Sequence, residues 1–464
     1  MTRQTFSGRT LPVLCVDVTE AGGRPRKGWV SCQIGRHVRF STEQLESYCF
    51  AEWDAKVYDA LLVAAVVEYC DRVVHRPALG WARHFRIRIP VHSPEIWRES
   101  KVSQSLIDAL SFLMGDEWEV EFVQRRVPAE QPSQGRITVP DGLEAVIPFS
   151  DGLDSRAVGA LAALELGEGL IRVRIGTGSW DRSTLAKRRV PFTSIPYKVQ
   201  TEGSEFAESS ARSRGFKFVL VSGLAAYLAK AKRVIMTESG QGALGPAIVT
   251  VGQSYADYRN HPLFTDRMER FIHALVGHVV RFEFPRLWST KAETLRLFSD
   301  KCVDGDALSS TRSCWQSSRQ VGVGGKRRQC GVCAACLLRR MSVHAAGLNE
   351  SQDNYVWENL RVANFCEGVG AGFDFKRIST SFREYAIAGT LHLDHLASVR
   401  RSALNSFPIT LAAHQLAKSL YLTKVDAETK LNGLLDRHTV EWGLFLQSLG
   451  NNSFISGWTE NSQS

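Results

Sequence analysis

Ser150-Asp151-Gly152-Leu153-Asp154-Ser155 is the stretch around which the rest of the chain is arranged. It follows the apolar run 143–149, which predicts a buried strand, and it precedes the apolar segment 157–164, which predicts a helix. A strand, a tight turn and a helix in succession bring backbone N–H groups and the positive end of a helix dipole to one point. The stretch therefore predicts an anion-binding turn, with an ordinary strand-to-helix turn capped by Asp and Ser as the alternative.

The composition is that of a globular protein. The chain has 464 residues, of which 44% are hydrophobic and 23% are charged. Its longest uncharged apolar run, residues 60–67, is too short to cross a bilayer, and Pro12 and Asp17 interrupt the apolar run near the N-terminus, which argues against a secretory signal. We therefore expect a cytoplasmic protein with no membrane partner. The net charge of +9 predicts an anionic ligand, but nucleotide, polyphosphate, RNA and DNA all satisfy it.

Strand and helix patterns alternate along the middle of the chain. From about residue 141, the segments 170–175, 192–197, 233–237 and 280–284 read as strands separated by helical stretches. This order predicts an α/β fold, a Rossmann-like doubly wound parallel sheet with ligands at the carboxyl ends of its strands. Two glycine-bearing loops follow strands in the same way, one beginning at Gly176 and one at Glu238.

Four domains are expected. Residues 1–140 read as an N-terminal α+β accessory domain, 141–300 as the nucleotide-binding core, 301–350 as a metal segment and 351–464 as a C-terminal helical region. His392 and His395 lie three residues apart on one predicted helix and are assigned a surface or packing role. The polar tail 451–464 is expected to be frayed.

Cysteines carry the clearest metal signal in the chain. Cys330, Cys333 and Cys336 form two overlapping C-x-x-C steps, and Cys314 supplies a fourth thiol sixteen residues upstream. Four thiolates at this spacing predict a closed structural zinc site with no position for a catalytic water. A redox C-x-x-C, a site that uses Cys302 instead of Cys314, and an iron–sulfur cluster remain alternatives.

The turn and the cysteines together resemble the 7-cyano-7-deazaguanine synthase (QueC) family of PP-loop ATP pyrophosphatases over residues 143 to about 348. Two further segments carry the resemblance. Ser254–Arg259 is similar to the family's S-G-Y-P-D-C-R segment, and Leu287–Thr294 is similar to its W-L-N-K-A-E-T segment. The resemblance implies the HUP/PP-loop variety of the Rossmann-like fold.

The resemblance also implies a reaction and its site residues. ATP would adenylate the carboxylate of 7-carboxy-7-deazaguanine, pyrophosphate would leave, and an amine would then displace AMP, which makes the protein an AMP-forming C–N ligase. Lys291 and Arg214 would offset charge around the α-phosphate, and Asp154 would orient Mg²⁺ unless it only caps its helix. The implied substrate-binding residues are Tyr255, Asp257 and Arg259, and the implied ATP-binding residues are Ser150, Asp151, Gly152, Leu153, Asp154, Ser155, Gly176 and Glu238. Zinc would support the substrate pocket without taking part in the reaction.

Departures from the family pattern shape the choice of acceptor. Asp151 replaces a glycine of the family's turn, and extra regions flank the core on both sides, as in the longer QueC-like proteins of bacterial antiphage defence, the QatC type. A reaction with ammonia would give these flanking regions no evident function. The N-terminal amine of a partner protein from the same defence operon is therefore the favoured acceptor of the acyl group. Ammonia, giving free 7-cyano-7-deazaguanine, is the alternative. A zinc-containing RNA-binding or RNA-modifying protein is the hypothesis of another class, supported by the basic cysteine loop with Lys326-Arg327-Arg328.

Overall fold

A computed structural model describes residues 12–40, 54–77, 80–128, 142–174, 197–201, 206–208, 212–252, 254–302, 308, 310–316 and 321–460. The strands, in chain order, are β1 (Val13–Thr19), β2 (Val30–Gln33), β3 (Val38–Phe40), β4 (His84–Val91), β5 (Glu117–Gln124), β6 (Ala145–Pro148), β7 (Leu170–Val173), β8 (Tyr197–Val199), β9 (Arg233–Ile235), β10 (Arg281–Glu283), β11 (Gly322–Val323) and β12 (Lys326–Arg327).

Helices occur in both halves of the chain. They are α1 (Ala55–Val73), α2 (Pro94–Arg98), α3 (Ser100–Met114), α4 (Leu153–Leu166), α5 (Ser213–Leu228), α6 (Gly240–Ile248), α7 (Pro262–Val276), α8 (Lys291–Lys301), α9 (Ala334–Ala345), α10 (Thr380–Ser398), α11 (Ser406–Leu420), α12 (Lys424–Leu449) and α13 (Phe454–Glu460). Short 3₁₀ turns lie at Gly167–Gly169, Gln352–Asn354, Phe365–Gly368, Phe375–Arg377 and Ala403–Asn405. None of the described helices is both long and apolar enough to span a membrane.

The chain divides into two compact units that are not contiguous in sequence. One contains residues 1–148, 168–234 and 264–282, and the other contains residues 149–167, 235–263 and 283–464. The predicted core 141–300 contributes to both units. Its proposed boundaries, like the other three, stay predictions of domain organisation.

A parallel sheet forms the N-terminal part of the first unit. Its strand order is β2-β1-β4-β5, and β1 pairs in parallel with β2 and β4, as β4 does with β5. The α+β character predicted for residues 1–140 is therefore wrong, because parallel neighbours make this region α/β. The prediction failed because β5 alternates buried and exposed residues, a pattern that antiparallel strands with one solvated face share.

The predicted core strands form a second sheet, in the order β10-β9-β6-β7. Strand β6 pairs in parallel with β7 on one side and with β9 on the other, so the strand order reverses at β6. This reversal fits a Rossmann-like α/β fold. The predicted strand 192–197 falls almost wholly outside the described residues, and β8, which begins at Tyr197, pairs antiparallel with β3 instead.

The second unit is largely helical and is built around the cysteine segment. Trp357 is fully buried and stacks on Phe365 with ring centroids 4.8 Å apart, in the same apolar cluster as Cys330, Cys333 and Cys336. The expectation of a frayed tail is wrong for residues 454–460. Phe454 and Ile455 are buried in this cluster, and helix α13 forms because both side chains gain a core position.

Candidate active site

Two serines hold the turn between β6 and α4. The Ser150 N–H donates to Ser155 Oγ at 2.9 Å, and the Gly152 N–H donates to Ser150 Oγ at 3.2 Å. Helix α4 begins at Leu153 with Gly152 as its N-cap residue. Asp151 is exposed to solvent.

Buried charges meet directly beside this turn. The Lys291 ammonium is bonded to Asp154 Oδ2 and lies 3.7 Å from Glu238 Oε1, while the Ser239 hydroxyl donates to Asp154 Oδ1 at 2.7 Å. Lys291 and Asp154 are 5% and 8% exposed. A buried ammonium and carboxylate are tolerated together because each compensates the charge of the other. The capping alternative for Asp154 is not realised, since its carboxylate contacts these side chains instead of the start of α4.

Lys291 and Glu238, two members of this cluster, have shifted pKa values. Burial acts to lower the pKa of Lys291, but Asp154 and Glu238 outweigh it and raise that pKa above its ordinary value. Burial, with the Asp154 carboxylate second, raises the pKa of Glu238 to about 7, against the opposing influence of Lys291 and Arg259. Lys291 is therefore a fixed positive charge near neutral pH, whereas Glu238 titrates there.

Glycine is needed beside Glu238. A Cβ on Gly242 would lie 2.0 Å from Glu238 Oε1, and a Cβ on Gly240 would lie 2.1 Å from the Leu287 carbonyl oxygen. The first turn of α6 therefore accepts only glycine at these two positions without a shift of its neighbours. In the glycine-bearing loop predicted from the sequence, Gly240 therefore packs closely against Leu287 and Gly242 packs closely against Glu238.

The predicted substrate segment adjoins Glu238. Arg259 holds Asp257 in a bidentate ion pair, with Nη2–Oδ2 at 2.6 Å and Nε–Oδ1 at 3.0 Å, and its positive charge lowers the pKa of Glu238. The Asn260 amide donates to Glu238 Oε2 at 3.1 Å. Tyr255 contacts Tyr258 edge-on, with ring centroids 6.1 Å apart. An aromatic pair, an ion pair and an amide thus lie on one short segment next to the charged cluster.

The four predicted metal ligands come together. The Sγ atoms of Cys314, Cys330, Cys333 and Cys336 all lie within 4.8 Å of one another, and the last three residues are buried. Zn–S bonds of about 2.3 Å place the sulfurs of a tetrahedral site about 3.8 Å apart, and Cys330 Sγ and Cys336 Sγ are 3.8 Å apart. Backbone N–H groups of Cys330 and Gln316 also point at Cys314 Sγ, at 3.2 and 3.4 Å. The cluster fits zinc, and Cys302 is not part of it.

A buried arginine ties the cysteine segment to the turn. Arg339, on α9, is 1% exposed, and it donates to Thr311 Oγ1 at 2.8 Å and, through Nε, to Glu350 Oε1 at 2.9 Å. The loop that it holds continues into Arg312, whose backbone N–H donates to the Asp151 carbonyl at 2.7 Å. The metal-binding segment therefore contacts the middle of the predicted anion-binding turn.

Several of the predicted site residues lie together in the second unit. Ser150, Asp154, Ser155 and Lys291 form one connected group, which Glu238 joins through Lys291 and to which the Tyr255–Arg259 segment is adjacent. Arg214 belongs to the first unit, where its guanidinium lies 5.4 Å from the centroid of the Phe218 ring. Gly176 lies outside the described residues. The roles of all these residues in ATP or substrate binding stay predictions.

Several residues of the site were missed from the sequence. Ser239 and Asn260 bond directly to Asp154 and Glu238, and each stands next to a residue that had been singled out, so adjacency was an available signal. Glu441 accepts a hydrogen bond from Thr290, the residue before Lys291. No signal in the sequence pointed to Glu441, because it lies 151 residues after Thr290 along the chain.

Parallel strands, a serine-held turn and four clustered thiols define a Rossmann-like α/β protein with a cysteine segment able to hold a metal ion. Residues 235–347 match the family model described as Queuosine biosynthesis protein QueC. The matched segment contains Glu238, Lys291 and all four cysteines, and the turn lies before it. The match supports a QueC-like PP-loop family and, with it, an enzyme that uses ATP.

Proposed function

We propose that this protein uses ATP to adenylate the carboxylate of 7-carboxy-7-deazaguanine and passes the acyl group to the N-terminal amine of a partner protein, as a long QueC-like enzyme of antiphage defence. The observation that carries the proposal is the buried contact of Lys291 with Asp154 beside the serine-held turn, because Lys291 and Glu238 both belong to the QueC-like segment. A fixed positive charge at this point is what charge developing at phosphorus requires.

The two half-reactions need little from the protein beyond positioning and charge. A carboxylate oxygen of the acid attacks the α-phosphorus, the bond to the β-phosphate oxygen breaks, and pyrophosphate leaves. The amine then attacks the acyl carbon, loses a proton, and AMP leaves with the electrons of the former anhydride bond. Ser150, Ser155 and the N–H groups of the turn would hold pyrophosphate, and Lys291 would offset the charge on the α-phosphate.

Of the two metal ions that the family resemblance implies, zinc fits its predicted ligands and Mg²⁺ does not. Zinc fits Cys314, Cys330, Cys333 and Cys336, where it would hold the segment that reaches the turn and supply no chemistry. Mg²⁺ does not fit the predicted role of Asp154, because the buried Lys291 ammonium already neutralises this carboxylate and would repel a second cation beside it. We therefore assign no step to Mg²⁺.

The choice of a protein acceptor now rests on a smaller part of the chain. Helix α12, in the C-terminal region, is hydrogen-bonded to the site through Glu441. This region therefore has a use in the enzyme whichever amine is the acceptor. The parallel sheet of residues 12–128 is the part for which ammonia chemistry supplies no use, and it supports the protein acceptor.

An RNA-binding function is the second candidate. Lys326 and Arg327 are exposed on β12, at the turn of a small antiparallel hairpin that follows the cysteine segment's first ligand. Exposed cations of this kind suit phosphate contacts. RNA binding that weakens with salt, without any pyrophosphate release, would favour this function.

Pyrophosphate release is the test of the adenylation step. We expect release from ATP to require 7-carboxy-7-deazaguanine and to fall at least about 100-fold in Lys291→Met. Lys301→Met, at the exposed end of the same helix, is the matched control and should keep the full rate. Release that is absent from the wild type, or that ignores the acid, would contradict the proposal.

Mass spectrometry of co-expressed partner proteins tests the acceptor. The expected product is a partner chain that carries the deazaguanine acyl group as an amide on its N-terminal amine, and Ser155→Ala should prevent its formation. An unmodified partner accompanied by free 7-cyano-7-deazaguanine would select ammonia as the acceptor.

A further inference from the structure

Helix α12 contributes a carboxylate to the start of α8, the helix whose first residue is Lys291. Thr290 is the N-cap residue of α8, and its Oγ accepts the Glu293 N–H at 3.1 Å while the Glu293 carboxylate accepts the Thr290 N–H at 2.8 Å. The Thr290 hydroxyl in turn donates to Glu441 Oε1 at 2.6 Å. Thr290 is fully buried and Glu441 is 6% exposed, so water does not substitute for this bond.

A glutamine connects the same carboxylate to the backbone of Lys291. Gln241 Oε1 accepts the Lys291 N–H at 2.8 Å, and the Gln241 amide nitrogen donates to Glu441 Oε2 at 3.1 Å and to His438 Nδ1 at 2.9 Å. His438 is fully buried, and its Nε2 lies 2.9 Å from the Leu393 carbonyl oxygen.

The acceptors on α12 fix the orientation of the Gln241 side chain. A carboxylate cannot donate, and His438 must carry its proton on Nε2 to bond to a carbonyl, which leaves Nδ1 as an acceptor. The amide nitrogen of Gln241 must therefore face α12, and its oxygen must face the Lys291 N–H. The Lys291 N–H belongs to the first turn of α8, so it has no hydrogen-bond acceptor within the helix. The bond to Gln241 therefore fixes the orientation of this N–H.

We infer that Glu441, Gln241 and His438 are positioning residues for Lys291, and that α12 is thereby a working part of the active site. The inference rests on the proposed function, in which the Lys291 ammonium acts at the α-phosphate. A misplacement of about 1 Å can cost about 100-fold in rate, so loss of these bonds should lower turnover through the position of Lys291.

Glu441→Leu tests the inference, with Glu441→Gln as the conservative variant. Leucine removes both acceptors, whereas a glutamine can still accept from Gln241 and donate to Thr290 Oγ. We expect kcat for pyrophosphate release to fall by about 10-fold or more in Glu441→Leu with KM for ATP changed less than about twofold, and to be largely retained in Glu441→Gln. Glu428→Leu, on the more exposed part of α12, is the control.

A double variant separates positioning from general destabilisation. If Glu441 acts through Lys291, Glu441→Leu should lower the residual rate of Lys291→Met by less than about threefold. An equally large loss in both backgrounds would overturn the inference.

Amide hydrogen exchange keeps the inference testable if the proposed function fails. A wild type without pyrophosphate release would refute adenylation alone. The peptide that begins at Lys291 should still exchange at least about 10-fold faster in Glu441→Leu than in Glu428→Leu. Equal exchange in the two variants would overturn the positioning role, whatever the reaction.

Discussion

The backbone N–H of Arg312 donates a 2.7 Å hydrogen bond to the carbonyl oxygen of Asp151. Arg312 lies two residues before the metal ligand Cys314, and Asp151 is the residue at which the turn departs from the family's glycine. The bond involves only backbone atoms, so it requires no particular side chain at Asp151 and only a residue other than proline at position 312. It makes the conformation of the turn depend on the segment that a metal would fix.

Metal content should follow the four clustered thiols and not Cys302. We expect about one zinc per chain, and its loss in Cys330→Ser, because four thiolates close a tetrahedral site and three leave it open. Cys302→Ser is the control and should keep the metal. Elemental analysis of the purified variants measures this, and zinc lost from Cys302→Ser would show that the ligand set is wrong.

The pKa of Glu238, raised to about 7 by burial and by Asp154, should make stability depend on pH. Between the ordinary pKa near 4.5 and about 7 the folded chain holds a proton that the unfolded chain has lost. The contribution of Glu238 to the free energy of unfolding therefore falls as pH rises through this window and is constant above it. Urea unfolding at pH 5 to 8 should show that Glu238→Gln removes this fall.

Glu165→Gln, exposed on α4, is the control for Glu238. If Glu238→Gln and the wild type differ by the same free energy of unfolding at pH 5 and at pH 8, the raised pKa is contradicted.

Residue type and spacing explain what could be predicted. The four cysteines were found because a zinc site demands thiols at short intervals. Lys291 was singled out because it stands in a recognisable segment, and its catalytic role stays a prediction. The Arg312–Asp151 bond could not be found, since a backbone donor has no residue signature. The register that brings Glu441 to Thr290 depends on how α12 packs, which a pattern of apolar residues leaves undetermined.

The pairing of strands could not be predicted from the sequence either. The segment 84–91 alternates polar and apolar residues, as a half-buried strand does, and it is β4, but this pattern does not reveal parallel neighbours. Burial of Phe454 and Ile455 was missed for a related reason. Phe454, Ile455 and Trp458 are too few in this polar tail to give clear periodicity, and their contribution comes from packing in the aromatic cluster with Phe365.

Gly389 should tolerate no side chain. A Cβ at this position of α10 would lie 2.6 Å from the backbone nitrogen of Ala334, which directly follows the metal ligand Cys333. Gly389→Ala should therefore destabilise the protein by about 1–3 kcal/mol, because backbone cannot move aside without disturbing the cysteine segment. Gly443→Ala is the matched control. That glycine lies inside α12 with nothing within 4 Å, and alanine should stabilise by about 0.5–1 kcal/mol. Thermal unfolding of the two variants should give shifts of opposite sign.

His438 should contribute a loss of stability in acid. Burial lowers the pKa of His438 to about 4 from an ordinary value of 6.5, and its bond from Gln241 requires an unprotonated Nδ1. Between these two values the unfolded chain binds a proton that the folded chain refuses, so the free energy of unfolding falls as pH falls, by about 3 kcal/mol over the window. His438→Asn keeps an acceptor near the position of Nδ1 but cannot titrate, so its unfolding free energy should decline less steeply between pH 6.5 and 4. His395→Asn, exposed on α10, is the control. Identical slopes for His438→Asn and the wild type would show that burial does not hold His438 neutral.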